Sequence, residues 1–148
     1  MITSIIFGLV TFTLVICRKV TYQECVSLFE LVDSDDTEKL NKFLKNTNHF
    51  NSKSMNLVGC KRDGFNPWHV AVDGGPLPLI QLLIDACDNE SLQSVDSLKY
   101  NAIHFAARTG RPDLLEVLLL CGVDANAIAG DSCTALAIAA TNGHAKFV

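Results

Sequence analysis

The residues of this chain most able to do chemistry are four histidines, His49, His69, His104 and His144, and six cysteines, Cys17, Cys25, Cys60, Cys87, Cys121 and Cys133. A structural zinc site gathers thiolates and imidazoles at short spacing, commonly opening with a C-x-x-C step. No C-x-x-C occurs here, and the cysteines are widely and unevenly spaced. A zinc site of the common kind is therefore not expected. If Cys17 leaves with a cleaved leader, five cysteines remain, and an odd number argues against a closed disulfide framework. The expectation is free thiols that serve as small apolar or loop residues. The acidic run Asp33-Ser34-Asp35-Asp36-Thr37-Glu38 has the look of a calcium loop. An EF-hand loop needs glycine at its sixth position and glutamate at its twelfth. Those positions hold Glu38 and Leu44, so the match fails and a solvated turn between helices is expected. No serine stands in a G-x-S-x-G elbow, and no G-x-x-x-x-G-K-[ST] loop is present. The chain is therefore expected to be non-enzymatic, with no catalytic, cofactor-binding or metal-ligating set and no small-molecule substrate.

Composition bounds what could position such residues. The 148 residues are 49% hydrophobic and 19% charged, enough for one ordinary domain and the opposite of a disordered composition. The formal net charge is −4 and the isoelectric point is near 5.4. A surface that tracks phosphates would be basic, so nucleic acid is not an expected partner.

Internal repetition organises the rest. The run DGFNPWHVAVDGG covers Asp63 to Gly75, LKYNAIHFAARTG covers Leu98 to Gly110, and DSCTALAIAATNG covers Asp131 to Gly143. Each reads as a polar cap, a small residue, an apolar residue, an alanine-rich turn of helix and a glycine. His69 to His104 is 35 residues, and Gly110 to Gly143 is 33. The two extra residues fall in the polar stretch Asp88-Asn89-Glu90-Ser91, where an insertion costs little. The second halves also correspond: PLPLIQLLIDAC from Pro76 to Cys87 matches RPDLLEVLLLCG from Arg111 to Gly122. Asn66, Asn101 and Thr134 are placed to cap the first helices. Pro67, Pro78 and Pro112 fit first turns, where a missing N–H is harmless. Gly75, Gly110 and Gly143 fall between helices, where positive φ is often required. The small residues Ala71, Ala106, Ala107, Ala139 and Ala140 let a second helix approach. Leu79, Ile80, Leu82, Leu83, Leu114, Leu115, Val117, Leu118 and Leu119 supply that helix's bulk.

These residues resemble the ankyrin repeat family, whose unit of about 33 residues carries a T-P-L-H-x-A signature. Asn66-Pro67-Trp68-His69-Val70-Ala71 and Asn101-Ala102-Ile103-His104-Phe105-Ala106 match it well. Thr134-Ala135-Leu136-Ala137-Ile138-Ala139 matches with alanine for the histidine, and Gly122-Val123-Asp124-Ala125-Asn126-Ala127 resembles the family's hairpin approach. Upstream, Leu28 to Leu44 looks like a degenerate first repeat, with Leu31-Val32 in place of the paired alanines and Asp35 in place of the glycine. The resemblance implies an all-α solenoid of stacked helix-turn-helix units with hairpin loops. Its divisions would be a degenerate repeat at 23–62, repeats at 63–97 and 98–130, and a partial repeat at 131–148. It implies a structural role for His69, His104 and His144. It also implies protein binding through hairpin tips and the exposed face of the first helices. Carried over by position, the hairpin residues are Arg62, Phe65, Leu98, Tyr100, Asp131 and Cys133. The first-helix residues are Asp73, Gly74, Arg108, Thr109, Thr141 and Asn142. Phe65 and Tyr100 are equivalent in adjacent repeats, and either anchor a partner or cover neighbouring hairpins.

Residues 1–17 carry no charge, and Arg18-Lys19 come directly after them. As a helix the segment spans about 25 Å, just short of a hydrocarbon core of about 30 Å. It reads as a cleaved signal peptide, an N-terminal membrane anchor, or else a wrong start codon or a buried first helix. It lacks the basic start of a signal peptide, and for an uncleaved anchor Arg18 and Lys19 would keep the rest of the chain in the cytosol. The expected location is the secretory pathway, secreted or membrane-anchored, with the cytoplasm as the alternative. The expected partner is a protein. Narrower readings are a regulator resembling the inhibitors of NF-κB, a secreted effector or toxin, and the targeting part of a longer enzyme. Val148 falls early in what should be a second helix, so the chain is expected to be a truncated form of a longer array.

Overall fold

The computed structural model describes residues 20–47 and 53–146. Residues 1–17, His49 and Val148 therefore lie outside the described residues, as do the expectations that rest on them.

Eight helices occur among the described residues. They are α1 Tyr22–Asp33, α2 Thr37–Asn46, α3 Pro67–Gly74, α4 Leu77–Ala86, α5 Asn89–Leu92, α6 Ala102–Thr109, α7 Pro112–Leu120 and α8 Ala135–Thr141. Extended pairing among the described residues is limited to isolated bridges. Six of the eight helices open on a side-chain cap, whereas α4 and α7 have none and carry proline in their first turns. Asn66 and Asn101 accept from the backbone N–H of His69 and His104, three residues on, and those histidines return a contact to the cap backbone. Thr134 caps α8 through Ala137, where no histidine completes the box. Thr21 and Glu24 form the same reciprocal box at α1. The T-Y-Q-E spacing carried that signal, and sequence reasoning passed over it. Asp36 caps α2 and pairs with Lys39, so part of the acidic run is helix-start chemistry.

The helices form two layers. α1, α3, α6 and α8 lie side by side, and each of the first three packs its own second helix, α2, α4 or α7, behind it. The alanines explain the close fit: Ala71, Ala106, Ala107 and Ala139 are fully buried against Leu79, Ile80, Leu83, Leu114 and Leu118. One helix pair cannot bury such a face alone, so stacking on neighbours completes the core. Two members of the expected core stand outside it, since Ala140 is exposed and Leu119 is nearly half exposed.

Three expectations require correction. Gly75 is extended, with φ −70°, whereas Gly110 and Gly143 adopt φ +67° and +73°. Pro76 follows Gly75, and a residue before proline is driven to extended backbone. Glycine is needed at 75 for space instead, because an added Cβ would lie 2.6 Å from the Ala71 carbonyl oxygen. Asp35, in the glycine position of the first unit, does adopt the left-handed conformation at φ 53°.

The insertion at Asp88–Ser91 is also more than a tolerated loop. It forms α5 and receives part of the 53–60 segment. Met55 bridges to Cys87, Leu57 N–H donates to Ser91 Oγ at 2.7 Å, and Met55, Leu57 and Ser91 are fully buried. Trp68, bulkier than the signature leucine, fits because its indole N–H donates to the Leu92 carbonyl at 3.2 Å. The two departures from a 33-residue unit thus pack on each other.

Finally, Cys25 and Cys60 form a disulfide, with Cα atoms 5.5 Å apart across a sequence separation of 35. Cys87, Cys121 and Cys133 are free, as expected. An odd total left room for one bridge, and the inward fold of the 53–60 segment brings Cys60 onto α1.

Candidate protein-interaction surface

The hairpin tips are built by backbone that doubles back on itself. Arg62 and Phe65 exchange two backbone hydrogen bonds, Asp96 N–H donates to the Tyr100 carbonyl, and Ala129 N–H donates to the Cys133 carbonyl. Asp63, Lys99 and Ser132 take positive φ at these tips. Adjacent tips touch. Gly130 N–H donates to the Leu98 carbonyl at 2.9 Å, and a Cβ on Gly130 would meet that oxygen at 2.7 Å.

His69 and His104 hold each tip to its helix. In each, Nδ1 accepts the backbone N–H of its own cap residue, and Nε2 donates at 3.0 Å to a carbonyl of the next connection, Ser94 or Ala127. Both rings are about 1% exposed. Burial, ahead of every other influence, pushes both pKa values below the ordinary imidazole range. Neutral rings with both nitrogens committed are girders of the fold. His144 acts likewise on the preceding unit, its Nε2 reaching the Arg108 carbonyl at 3.0 Å.

On the face shared by the tips and the first helices, Phe105 of α6 is the centre of an aromatic cluster. Phe65 meets it edge-on at 6.2 Å, Tyr100 at 6.4 Å, and His69 stacks on it at 5.6 Å. Phe65 and Tyr100, marked by sequence as equivalent, are therefore joined through a third ring that periodicity did not reveal. Both are half-buried, so they cover the hairpins and still present an edge outward. The Arg108 guanidinium lies 5.1 Å from the Phe105 ring centroid and is held by Asp73 of α3. One unit upstream the device recurs. Arg62 lies 4.3 Å over Phe29 and contacts Asp33 at 2.8 and 3.0 Å. The Tyr100 hydroxyl donates to Asp131, which raises the phenol pKa to about 12 and lowers that of the carboxyl. Asp131 also accepts from Cys133 N–H at 3.1 Å. Burial first, then Asp131, pushes the Cys133 thiol upward, toward an unreactive thiol.

The structure thus brings Phe65, Leu98, Tyr100, Arg108 and Asn142 to one groove of about 280 Å³, together with Phe105 and Ile138. Leu98 is 63% exposed at its lip. Asp73 reaches that groove through Arg108. Asp131 and Cys133 sit at the next tip beside Tyr100, and Arg62 stands one unit away over Phe29. Gly74 and Thr141 are exposed, and Thr109 is half-buried, its hydroxyl donating to the Phe105 carbonyl at 3.0 Å. Among the described residues no group of three or more His, Cys, Asp or Glu is placed to hold a metal. Nor is any described helix long and apolar enough to cross a membrane.

Capped helix pairs stacked in register, joined by hairpin tips and offering one continuous face, define a helical repeat solenoid. A family model of ankyrin repeats, in three copies, matches residues 28–129. The chain belongs to the ankyrin repeat family. No curated protein matches the chain. Ankyrin repeats are generally protein–protein interaction modules, and the family is typically non-enzymatic.

Proposed function

We propose that this chain is a protein-binding module of the secretory pathway that seats a segment of a partner protein against its hairpin tips and first helices. The observation that carries this reading is the groove around Phe105. A largely exposed leucine and two half-buried aromatic rings lie beside an arginine already oriented by Asp73. Aromatic and arginine side chains dominate interface energies, and groups ordered before binding lose less entropy on binding. Arg62, held over Phe29 by Asp33, extends the same preparation to the neighbouring unit. A net charge of −4 does not favour a phosphate backbone as the partner.

The Cys25–Cys60 bridge supports the compartment, because structural disulfides persist in oxidising environments and are rare in the cytosol. Together with the apolar residues 1–17 it favours a lumenal or secreted chain over a cytosol-facing one. It weighs against a masking role on a transcription factor, which would require reducing surroundings.

A photo-crosslinking residue in place of Leu98 tests the groove. In the source cells it should capture a defined protein, whereas the same residue in place of Gln81, exposed on α4, should not. Leu98→Asp should then weaken binding of that captured protein at least tenfold while leaving the melting temperature unchanged. Equal capture from both positions, or unchanged affinity in Leu98→Asp, would refute the groove.

A further inference from the structure

The sequence contains a single N-x-[ST] triplet, Asn89-Glu90-Ser91, the acceptor pattern for N-linked glycosylation on surface loops of secreted proteins. A triplet alone is weak evidence, and its setting here strengthens it. Asn89 is the first residue of α5 and is exposed, and nothing among the described residues hydrogen-bonds its carboxamide. Three other asparagines are committed: Asn66 and Asn101 are buried caps, and Asn56 bonds Asp88 and Glu90. Asn89 borders an open hollow of about 430 Å³ with Val58, Lys61, Gln93 and the exposed Val95. None of those residues lines the groove around Phe105.

We infer that Asn89 carries an N-linked glycan, projecting from the α5 insertion clear of the protein-binding groove. This rests on the proposal that the chain is lumenal. The co-reactant is an oligosaccharide carried on a lipid pyrophosphate. The Asn89 side-chain nitrogen attacks the anomeric carbon, a C–N bond forms, and the bond from that carbon to the pyrophosphate oxygen breaks. The amide gives up one proton and the lipid pyrophosphate leaves, with no change of oxidation state. The order of events is also fixed. The Ser91 hydroxyl, which completes the triplet, is fully buried and accepts from Leu57 N–H at 2.7 Å. Transfer therefore precedes the docking of α5 on the 53–60 segment, on the chain as it enters the lumen. In the folded protein the modified Asn89 stands outward while the residue that specified it is sealed inside.

The test is expression of the full chain in cultured animal cells, followed by peptide N-glycosidase digestion and peptide mass analysis. The expected result is one glycoform that collapses on digestion and leaves an aspartate in place of Asn89. Asn89→Gln should abolish the shift, and Ser91→Thr, which keeps the hydroxyl, should retain it. Protease protection and thiol labelling of Cys25 and Cys60 are read on the same material. A protected, bridged chain with unmodified Asn89 overturns the glycan and leaves the lumenal reading standing. An unprotected chain with reactive Cys25 and Cys60 overturns both.

Discussion

At the residue scale, His69 and His104 make stability depend on pH in a direction fixed by their hydrogen bonds. Each ring accepts at Nδ1 and donates at Nε2, which only the neutral form can do. Their folded pKa values lie below the 6.5 of an exposed imidazole. The unfolded chain therefore binds more protons between the folded and unfolded values. The contribution is complete above about pH 6.5 and fades as pH falls below it toward the folded values. The melting temperature should drop between about pH 7 and pH 5, before carboxylates titrate. Glutamine can serve at the third position of a capping box. His69→Gln with His104→Gln should accordingly be less stable at neutral pH by roughly 1–3 kcal/mol, with a flatter pH profile. A wild-type melting temperature that rose on acidification would contradict these tautomers. Legibility in the sequence followed reach. The Asn66 and Asn101 caps could be read because a cap bonds within three residues, and His69 and His104 because they match the repeat signature. Phe105 at the centre of the binding face could not, since Phe65 reaches it from another repeat.

At the element scale, the turns between paired helices separate two uses of glycine. Gly110 is left-handed, and a Cβ there would collide with the His144 ring, which is anchored on the Arg108 carbonyl. Gly110→Ala should destabilise by more than the roughly 1–2 kcal/mol of the backbone term alone. Gly74, the last residue of α3, is exposed with nothing near its missing Cβ. Gly74→Ala should be neutral or stabilising by up to about 1 kcal/mol. Urea titration of the two variants distinguishes the cases, and equal effects would refute the distinction. Gly75 shows how periodicity misleads. Its place in the repeat predicted positive φ, yet Pro76, visible in the sequence, already argued for extended backbone there. The Cys25–Cys60 bridge had no comparable local signal. It depends on the 53–60 segment lying along the end of α4 and on α5, a docking set by Met55, Leu57 and Ser91 together.

At the scale of the whole molecule, contacts reach mainly from one unit to the next: Arg62 to Asp33, Arg108 to Asp73, Arg111 to the Gly75 carbonyl, His144 to the Arg108 carbonyl. Such an array responds locally to local damage. Cys25→Ser with Cys60→Ser removes a cross-link over 35 residues, a loss of about 3–4 kcal/mol on the chain-entropy account. Amide exchange should accelerate in α1 and α2 and remain nearly unchanged in α6 and α8. Uniform acceleration along the chain would show one cooperative block instead. The bridge has a mechanical consequence as well. Pulled by its two ends, the oxidised protein cannot let out the residues between Cys25 and Cys60, so that stretch transmits force without lengthening. Reduction frees it, and the fully extended tether should grow by roughly 110–120 Å. In an optical trap that increment would appear only with reductant present, marking the first repeat as a link that bears tension and the later ones as links that yield to it.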